Sequence, residues 1–74
     1  MAYEKIDSVK IGTRLRIMRM ERGESVEDVA KSIGVSNSAI GMYEGGQRVP
    51  RDEIKIKIAE HFDMPVETIF FATA

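Results

Sequence analysis

Apolar side chains recur at steps of three and four along most of the chain, and this period is typical of amphipathic helices. In the first segment, Ile11, Leu15 and Met18 fall on one helical face. Gly23 follows them and can end a helix in the left-handed conformation. The pattern therefore predicts a first helix over residues 9–22.

Two shorter helices are predicted next, and each begins at a serine. Ser25 is followed by Asp28 at the spacing of a capping box. Gly34 stops this second helix, and Ser36 then caps a third, which Gly45 or its neighbouring glycine can close. A tight turn of roughly three to four residues thus joins the two helices, the arrangement of a helix-turn-helix.

The fourth apolar segment, EIKIKIAEHF, fits two periods. Its alternation of apolar and charged residues is typical of a strand, whereas Ile54, Ile58 and Phe62 at steps of four favour a helix. Ala59 and Glu60 within the segment are good helix formers and favour a helix. We expect a short fifth helix from Pro65 through Ile69, and an extended closing segment, IFFATA.

These elements predict an all-α protein, a single compact domain of four to five short helices around one small core. A chain of 74 residues is long enough for one such domain. We assign residues 1–8 to an N-terminal arm, residues 9–70 to the helix-turn-helix domain and residues 71–74 to a C-terminal tail.

Composition excludes several classes of protein. The chain has no cysteine, which excludes disulfides and thiolate metal sites. His61 is the sole histidine and has no metal partner at a suitable spacing, and no catalytic set is present. We expect a non-enzyme without metal, cofactor or small-molecule substrate. Because no apolar run could span a membrane and the N-terminus lacks a signal-peptide core, we also expect a cytoplasmic protein with no membrane partner.

Charge is distributed unevenly, although the net charge is only −1. Residues 1–22 carry six basic and three acidic side chains, and residues 45–57 carry four and two. Residues 23–44 carry one basic and four acidic side chains. The negative total argues mildly against a nucleic-acid partner, but the basic segments can still form one face of the folded domain.

Four motifs stand out along the chain: IGTRLRIMRMERG, VAKSIGVS, SAIGMYEGG and IAEHFDMPVETIF. Together they resemble the lambda-repressor/Cro-like (Xre-type) helix-turn-helix family, and the similarity covers roughly residues 11–70. The resemblance implies an all-helical domain, usually dimeric, that binds operator DNA and regulates transcription. It also implies a bacterial or phage origin.

The resemblance implies roles for individual residues. On the third helix, Asn37, Ser38 and Met42 match positions that read base edges, and Gly41 lies beside them. Arg19 and Glu44 match a pair that forms a salt bridge between the first and third helices. Phosphate contacts are implied at Ser25, Val26, Gly45, Arg48 and Val49, although Val26 replaces the glutamine usual in the family and positions 45 and 49 offer no side-chain donor.

The chemistry of the third helix supports base readout, with a plainer alternative for each residue. The Asn37 amide can bond adenine N6 and N7 together, and Ser38 can bond several bases. Met42 can contact a thymine methyl group, or it can be an exposed or partly buried core residue. Gly41 costs about 1 kcal/mol of helix stability relative to alanine, and it either admits close approach or marks a position without contact.

Sequence-independent anchors are predicted around this helix. Arg48 and Arg51 flank the loop that follows it and can reach phosphates, and Gln47 can add a neutral hydrogen bond. The amides at the helix starts marked by Ser25 and Ser36 attract phosphate. The alternatives are that the serines simply cap helices and that the arginines lie in a solvated basic loop.

Two functions remain open. The first is a sequence-specific regulator, a repressor, that binds operator DNA as a homodimer through a recognition helix at residues 37–45. Its dimer surface would include Phe70 and Phe71, because both cannot enter so small a core. The alternative is a helix-turn-helix fold used mainly for contact with proteins, such as an antagonist of a related regulator. A regulatory protein partner fits either function.

Overall fold

The protein is described by a computed structural model that covers residues 7–71. Over that range the chain is all-helical and contains no strand, as the sequence predicts. The helices are α1 (Ser8–Glu21), α2 (Val26–Ile33), α3 (Asn37–Glu44), α4 (Asp52–Phe62) and a C-terminal π-helix (Glu67–Phe71). No helix in the described range is long and apolar enough to cross a membrane.

Helix α1 begins one residue earlier than predicted, because Asp7 caps it. The Asp7 carboxylate accepts hydrogen bonds from the backbone N–H groups of Val9 and Lys10, both at 3.1 Å. These bonds satisfy amides that have no partner within the helix. Gly23, with φ of +67°, follows the other end. Residues 7 and 8 therefore belong to the helical domain and not to an N-terminal arm.

The ends of α2 and the start of α3 are fixed by local signals. The Ser25 hydroxyl accepts from the Asp28 N–H at 3.0 Å, and the Asp28 carboxylate accepts from the Ser25 N–H at 2.9 Å, which completes the predicted capping box. Gly34 ends α2 in the left-handed conformation, with φ of +85°. The Ser36 hydroxyl then accepts from the Ala39 N–H and starts α3.

Helix α4 follows the period of four and not the alternation. Ile58 and Phe62, four positions apart, are both buried. Ile56, which the alternating pattern would bury together with Ile58, is exposed. The helix ends at Asp63 in the left-handed conformation, with φ of 54°. Aspartate tolerates this conformation better than most residues other than glycine.

The C-terminal segment differs from the prediction. The fifth helix has π geometry, begins at Glu67 and includes the residues Ile69 to Phe71 that we expected to be extended. Burial explains the difference, because Ile69 and Phe70 enter the core almost completely. Arg14 of α1 also donates a hydrogen bond to the Ile69 carbonyl, which holds this helix against α1. Phe71 is therefore part of the domain and not of a tail.

The core is built where α1 and α2 pack on α3, and where α2 also packs on α4. Ile40 and Tyr43 are the side chains that α3 contributes. The remaining buried apolar residues are Ile11, Leu15, Val29, Ala30, Ile33, Ile58, Ala59, Phe62, Ile69 and Phe70. Because α3 buries one side against this core, its other side is left to the surface.

Candidate nucleic-acid interface

The outer side of α3 presents the three residues predicted to read base edges, together with Gly41 beside them. Asn37, Ser38 and Gly41 are exposed, and Met42 is 39% exposed. Their spacing along the helix places all four on one face. A Cβ added at Gly41 would meet no atom within 4 Å, so the helix surface there is open. The structure thus brings these residues together on one accessible surface.

The one charged side chain of α3, Glu44, faces inward to Arg19 of α1. The Arg19 Nε and Nη2 atoms donate to the two Glu44 carboxylate oxygens at 2.6 and 3.0 Å. Both side chains are largely buried, with 14% and 10% of their surface exposed. The hydrogen bond to Glu44 raises the pKa of Arg19. Glu44 is therefore neutralised inside the domain and adds no free negative charge to the outer face.

The two helix N-termini near this surface differ in charge. The Ser25 and Ser36 hydroxyls both act as caps, which was the plainer alternative for each. The first turn of α2 carries Glu27 and Asp28, and hydrogen bonds from the Ser25 backbone N–H and hydroxyl lower the pKa of the Asp28 carboxyl. The first turn of α3 carries no acid. The N-terminus of α3 is therefore the better place for a phosphate.

Arg48 and Arg51 line an open cleft of about 450 Å³ between α3 and α4. Arg51 lies 4.0 Å from Glu53, but both side chains are more than three-quarters exposed, so this ion pair is weak. Arg48 forms no ion pair with any described residue. The cleft is lined by Val35, Ala39, Tyr43, Arg48, Val49, Arg51 and Ile54.

Gln47 is exposed beside this cleft, and its side chain folds back toward α3. A Cβ added at Gly45 would lie 2.7 Å from the Gln47 side-chain oxygen. The amide group of Gln47 therefore lies close to the end of the predicted recognition helix.

The predicted dimer surface was wrong at Phe70, which is buried. Its side chain is 3% exposed and belongs to the core, whereas Phe71 is 50% exposed. Consecutive residues of a helix point in different directions, so one phenylalanine enters the core and the next faces out. The Lys55 ammonium lies 5.3 Å from the centroid of the Phe71 ring, which is cation–π geometry.

Two structural side chains, those of Arg14 and His61, have partners that no sequence pattern marks. Arg14 has a main-chain carbonyl as its partner, which no sequence pattern marks. His61 bonds Ser32 and Glu24, two polar residues far from it in the chain. No group of three or more histidine and carboxylate side chains within residues 7–71 is arranged to hold a metal ion.

Comparison with known proteins assigns the family. A family model described as a helix-turn-helix domain matches residues 10–69. The chain belongs to the lambda-repressor/Cro-like helix-turn-helix family. Its fold is similar to that of the restriction-modification controller protein C.AhdI from Aeromonas hydrophila, with a TM-score of 0.81 and 36% identity over 86% of this chain and 97% of that one.

Other members of the family are transcriptional regulators. The regulator SinR, solved in complex with DNA, is 28% identical, with a TM-score of 0.74 over 80% of this chain and 95% of that one. An uncharacterised helix-turn-helix regulator of Archaeoglobus fulgidus is 34% identical over 78% of this chain and 83% of its own length. A putative regulator of Pyrococcus horikoshii is 33% identical over 86% of this chain, which spans only 19% of that relative's length.

Proposed function

We propose that this domain is a sequence-specific DNA-binding regulator of transcription, a repressor, that binds its operator as a homodimer through α3. The observation that carries the proposal is the pairing of two features. An exposed, uncharged face of α3 lies beside a cleft with two exposed arginines. Membership of a family that includes transcriptional regulators, one of them solved with DNA, supports this function.

Base readout and phosphate contact are divided between different residues in this proposal. Asn37, Ser38 and Met42 contact base edges in the major groove, and Gly41 lets the helix approach them closely. An uncharged reading helix suffices, because phosphate contacts supply most of the affinity without carrying sequence information.

The phosphate contacts come from the loop beyond α3 and from helix starts. Arg48 and Arg51 contact the duplex backbone, and Gln47 adds a neutral hydrogen bond. The amides at the start of α3, capped by Ser36, contribute as well, because no acid opposes them there. At Ser25 the same contact is opposed by the acids of the first turn of α2, so it contributes less.

The homodimer uses the exposed apolar side chains at the C-terminal end of the domain. Phe71 is half-exposed over Lys55, and Ile56, the next residue of α4, is 52% exposed. An apolar surface that includes both side chains would favour a protein contact. A two-fold dimer would set two copies of α3 about one turn of DNA apart, roughly 34 Å.

The proposal is tested by selection from a randomised duplex pool at low and moderate salt. We expect one enriched, palindrome-like motif, whose affinity falls steeply as the salt concentration rises. No enrichment at low salt by a chain that is folded and dimeric would refute it. That result would favour the alternative function, binding to another protein. The exposed acidic side chains of Glu27 and Asp28 on α2 would form part of the surface that contacts it.

A further inference from the structure

One imidazole connects three parts of the domain. His61 lies near the end of α4, and its Nδ1 atom is 2.7 Å from the Ser32 hydroxyl of α2. Its Nε2 atom is 2.9 Å from a carboxylate oxygen of Glu24, in the turn between α1 and α2. Because a carboxylate can only accept, Nε2 carries a hydrogen and donates it to Glu24.

The same turn holds the arginine that binds the recognition helix. The Glu24 backbone carbonyl accepts a hydrogen bond from Arg19 Nη1 at 2.9 Å. The other two donor groups of this guanidinium point to Glu44, the last residue of α3. Arg19 is therefore fixed on one side by the turn and on the other side by α3. A continuous series of polar contacts runs from His61 through Glu24 and Arg19 to Glu44.

Burial makes these contacts effective in fixing geometry. The exposed fractions of the side chains are 11% for His61 and 19% for Glu24, and Arg19 and Glu44 are similarly covered. Hydrogen bonds that are shielded from water are electrostatically stronger, and networks of them act together. The series is also satisfied whether or not the imidazole is charged, because the Ser32 hydroxyl can donate to Nδ1 or accept from it.

We infer that His61 is a positioning residue for DNA recognition. It fixes the turn at Glu24, the turn orients Arg19, and Arg19 sets the position of Glu44 and the angle at which α3 presents its outer face. This inference rests on the proposed function, and it adds to that function a residue of α4 that contacts no part of the predicted interface. The competing explanation is that His61 only holds α4 in the core.

A double-mutant cycle separates these explanations. His61 and Glu44 share no direct contact among the described hydrogen bonds, so independent effects of His61→Gln and Glu44→Gln on DNA affinity should multiply to within about twofold. If the residues are coupled, the loss in the double variant is smaller than that product. We expect the factor by which its DNA affinity falls to be at least about threefold below the product of the two single-variant factors. Independent effects would overturn the inference. The control pairs Glu60→Gln with Glu44→Gln, because Glu60 is on α4 but outside the series, and its effect should multiply.

A milder variant tests the inference without unfolding the domain. Ser32→Ala removes a single hydrogen bond to His61 and leaves the Glu24 contact. We expect this variant, at a temperature where it is fully folded, to lower the ratio of affinity for the selected motif to affinity for an unrelated duplex. Its salt dependence should stay that of the unmodified protein, because no phosphate contact is removed. A fully folded variant with an unchanged ratio would contradict the inference.

Amide hydrogen exchange in the absence of DNA distinguishes failure of this inference from failure of the proposed function. His61→Gln should speed exchange at the last amides of α3 more than in α1, and Glu60→Gln should not. If the unmodified protein selects a motif but α3 exchange is unchanged in His61→Gln, the function stands and the inference fails. If no motif is selected, the proposed function fails, and positioning for DNA recognition fails with it.

Discussion

Gly12 of α1 lies directly against the main chain of α3 at Glu44. A Cβ added at Gly12 would lie 2.4 Å from the Glu44 carbonyl oxygen and 2.5 Å from that of Tyr43. No real Cβ is found so close to backbone atoms, which cannot move aside as the tip of a side chain can. Glycine at this position therefore sets the distance between α1 and α3.

We predict that Gly12→Ala separates these two helices and lowers the free energy of unfolding by about 1–3 kcal/mol, the usual cost of overpacking. Urea unfolding followed by circular dichroism measures this change. The displaced α3 should also bind the selected DNA motif more weakly. An unchanged unfolding midpoint would show that the two helices adjust without cost.

Gly41→Ala is the matched control for this change. It makes the same substitution on the open side of α3, where a Cβ meets nothing within 4 Å. It should raise the free energy of unfolding by about 1 kcal/mol, because alanine favours helix more than glycine does. If Gly41 admits close approach of DNA, affinity falls although stability rises. Equal or higher affinity would remove Gly41 from the proposed interface.

The Arg19–Glu44 pair gives the second prediction. Arg19→Ala leaves the Glu44 carboxylate largely buried without its partner, which costs about 3–5 kcal/mol. Arg16→Ala, on the exposed side of the same helix, should change stability by less than about 0.5 kcal/mol. Thermal or urea unfolding of the two variants makes the comparison. Equal stability of Arg19→Ala and the unmodified protein would rule out a structural role for the pair.

Much of this fold could be predicted because its signals are local. Serine caps at Ser25 and Ser36 and the left-handed stop at Gly34 each depend on residues within one helical turn. The exposed face of α3 followed from the same spacing that placed Ile40 and Tyr43 inside. The ion pair between α1 and α3 is not local, and it was found through family resemblance.

Contacts between distant segments could not be predicted in this way. The role of Gly12 depends on where α3 crosses α1, which the sequence of α1 does not contain. The bond from Arg14 to Ile69 ends on a carbonyl group, and every residue has one. Phe70 and Phe71 are identical in type, so only the packing of the π-helix decides which one is buried.

The capping box of α2 gives the third prediction, a dependence of stability on pH. The pKa of Asp28 is lowered from its ordinary value of 3.8, first by the Ser25 N–H and then by its hydroxyl. A carboxyl with a lowered pKa in the folded state stabilises the fold above its ordinary pKa. That stability is lost as the pH falls through the lower, folded-state value.

Melting temperatures of the unmodified protein and of Asp28→Asn, measured from about pH 7 to about pH 2, check this sign. The unmodified protein should be the more stable at neutral pH, and the difference should close below pH 3.8. In a Ser25→Ala background the difference should be smaller, because the hydroxyl is absent while the backbone N–H remains. A difference that grows on acidification would contradict the assignment.

The two adjacent phenylalanines give the fourth prediction. Phe70→Ala should lower the free energy of unfolding by about 3–5 kcal/mol, because it empties a buried site. Phe71→Ala removes a half-exposed ring, so it should leave the monomer nearly as stable while weakening the homodimer. Sedimentation equilibrium over a range of concentrations measures the dimer. Unchanged association of Phe71→Ala, with Ile56→Ala likewise unchanged, would move the dimer surface elsewhere.

The last prediction separates readout from phosphate contact at the proposed interface. Asn37→Ala should cost about 1–3 kcal/mol of affinity for the selected motif and relax preference at one base position, because its amide is the proposed base reader. Arg48→Gln should weaken binding to all sequences about equally and reduce the salt slope by about 1. Both residues are exposed, so neither change should alter unfolding.

Selection with each variant, followed by titration at several salt concentrations, distinguishes these effects. The two variants serve as controls for each other, because both residues are exposed and neither takes part in the Arg19–Glu44 ion pair. Relaxed preference in Arg48→Gln, or a uniform loss in Asn37→Ala, would reverse the assignment. In that case the sequence would be read from the cleft between α3 and α4, and the uncharged face of α3 would serve only to fit the groove.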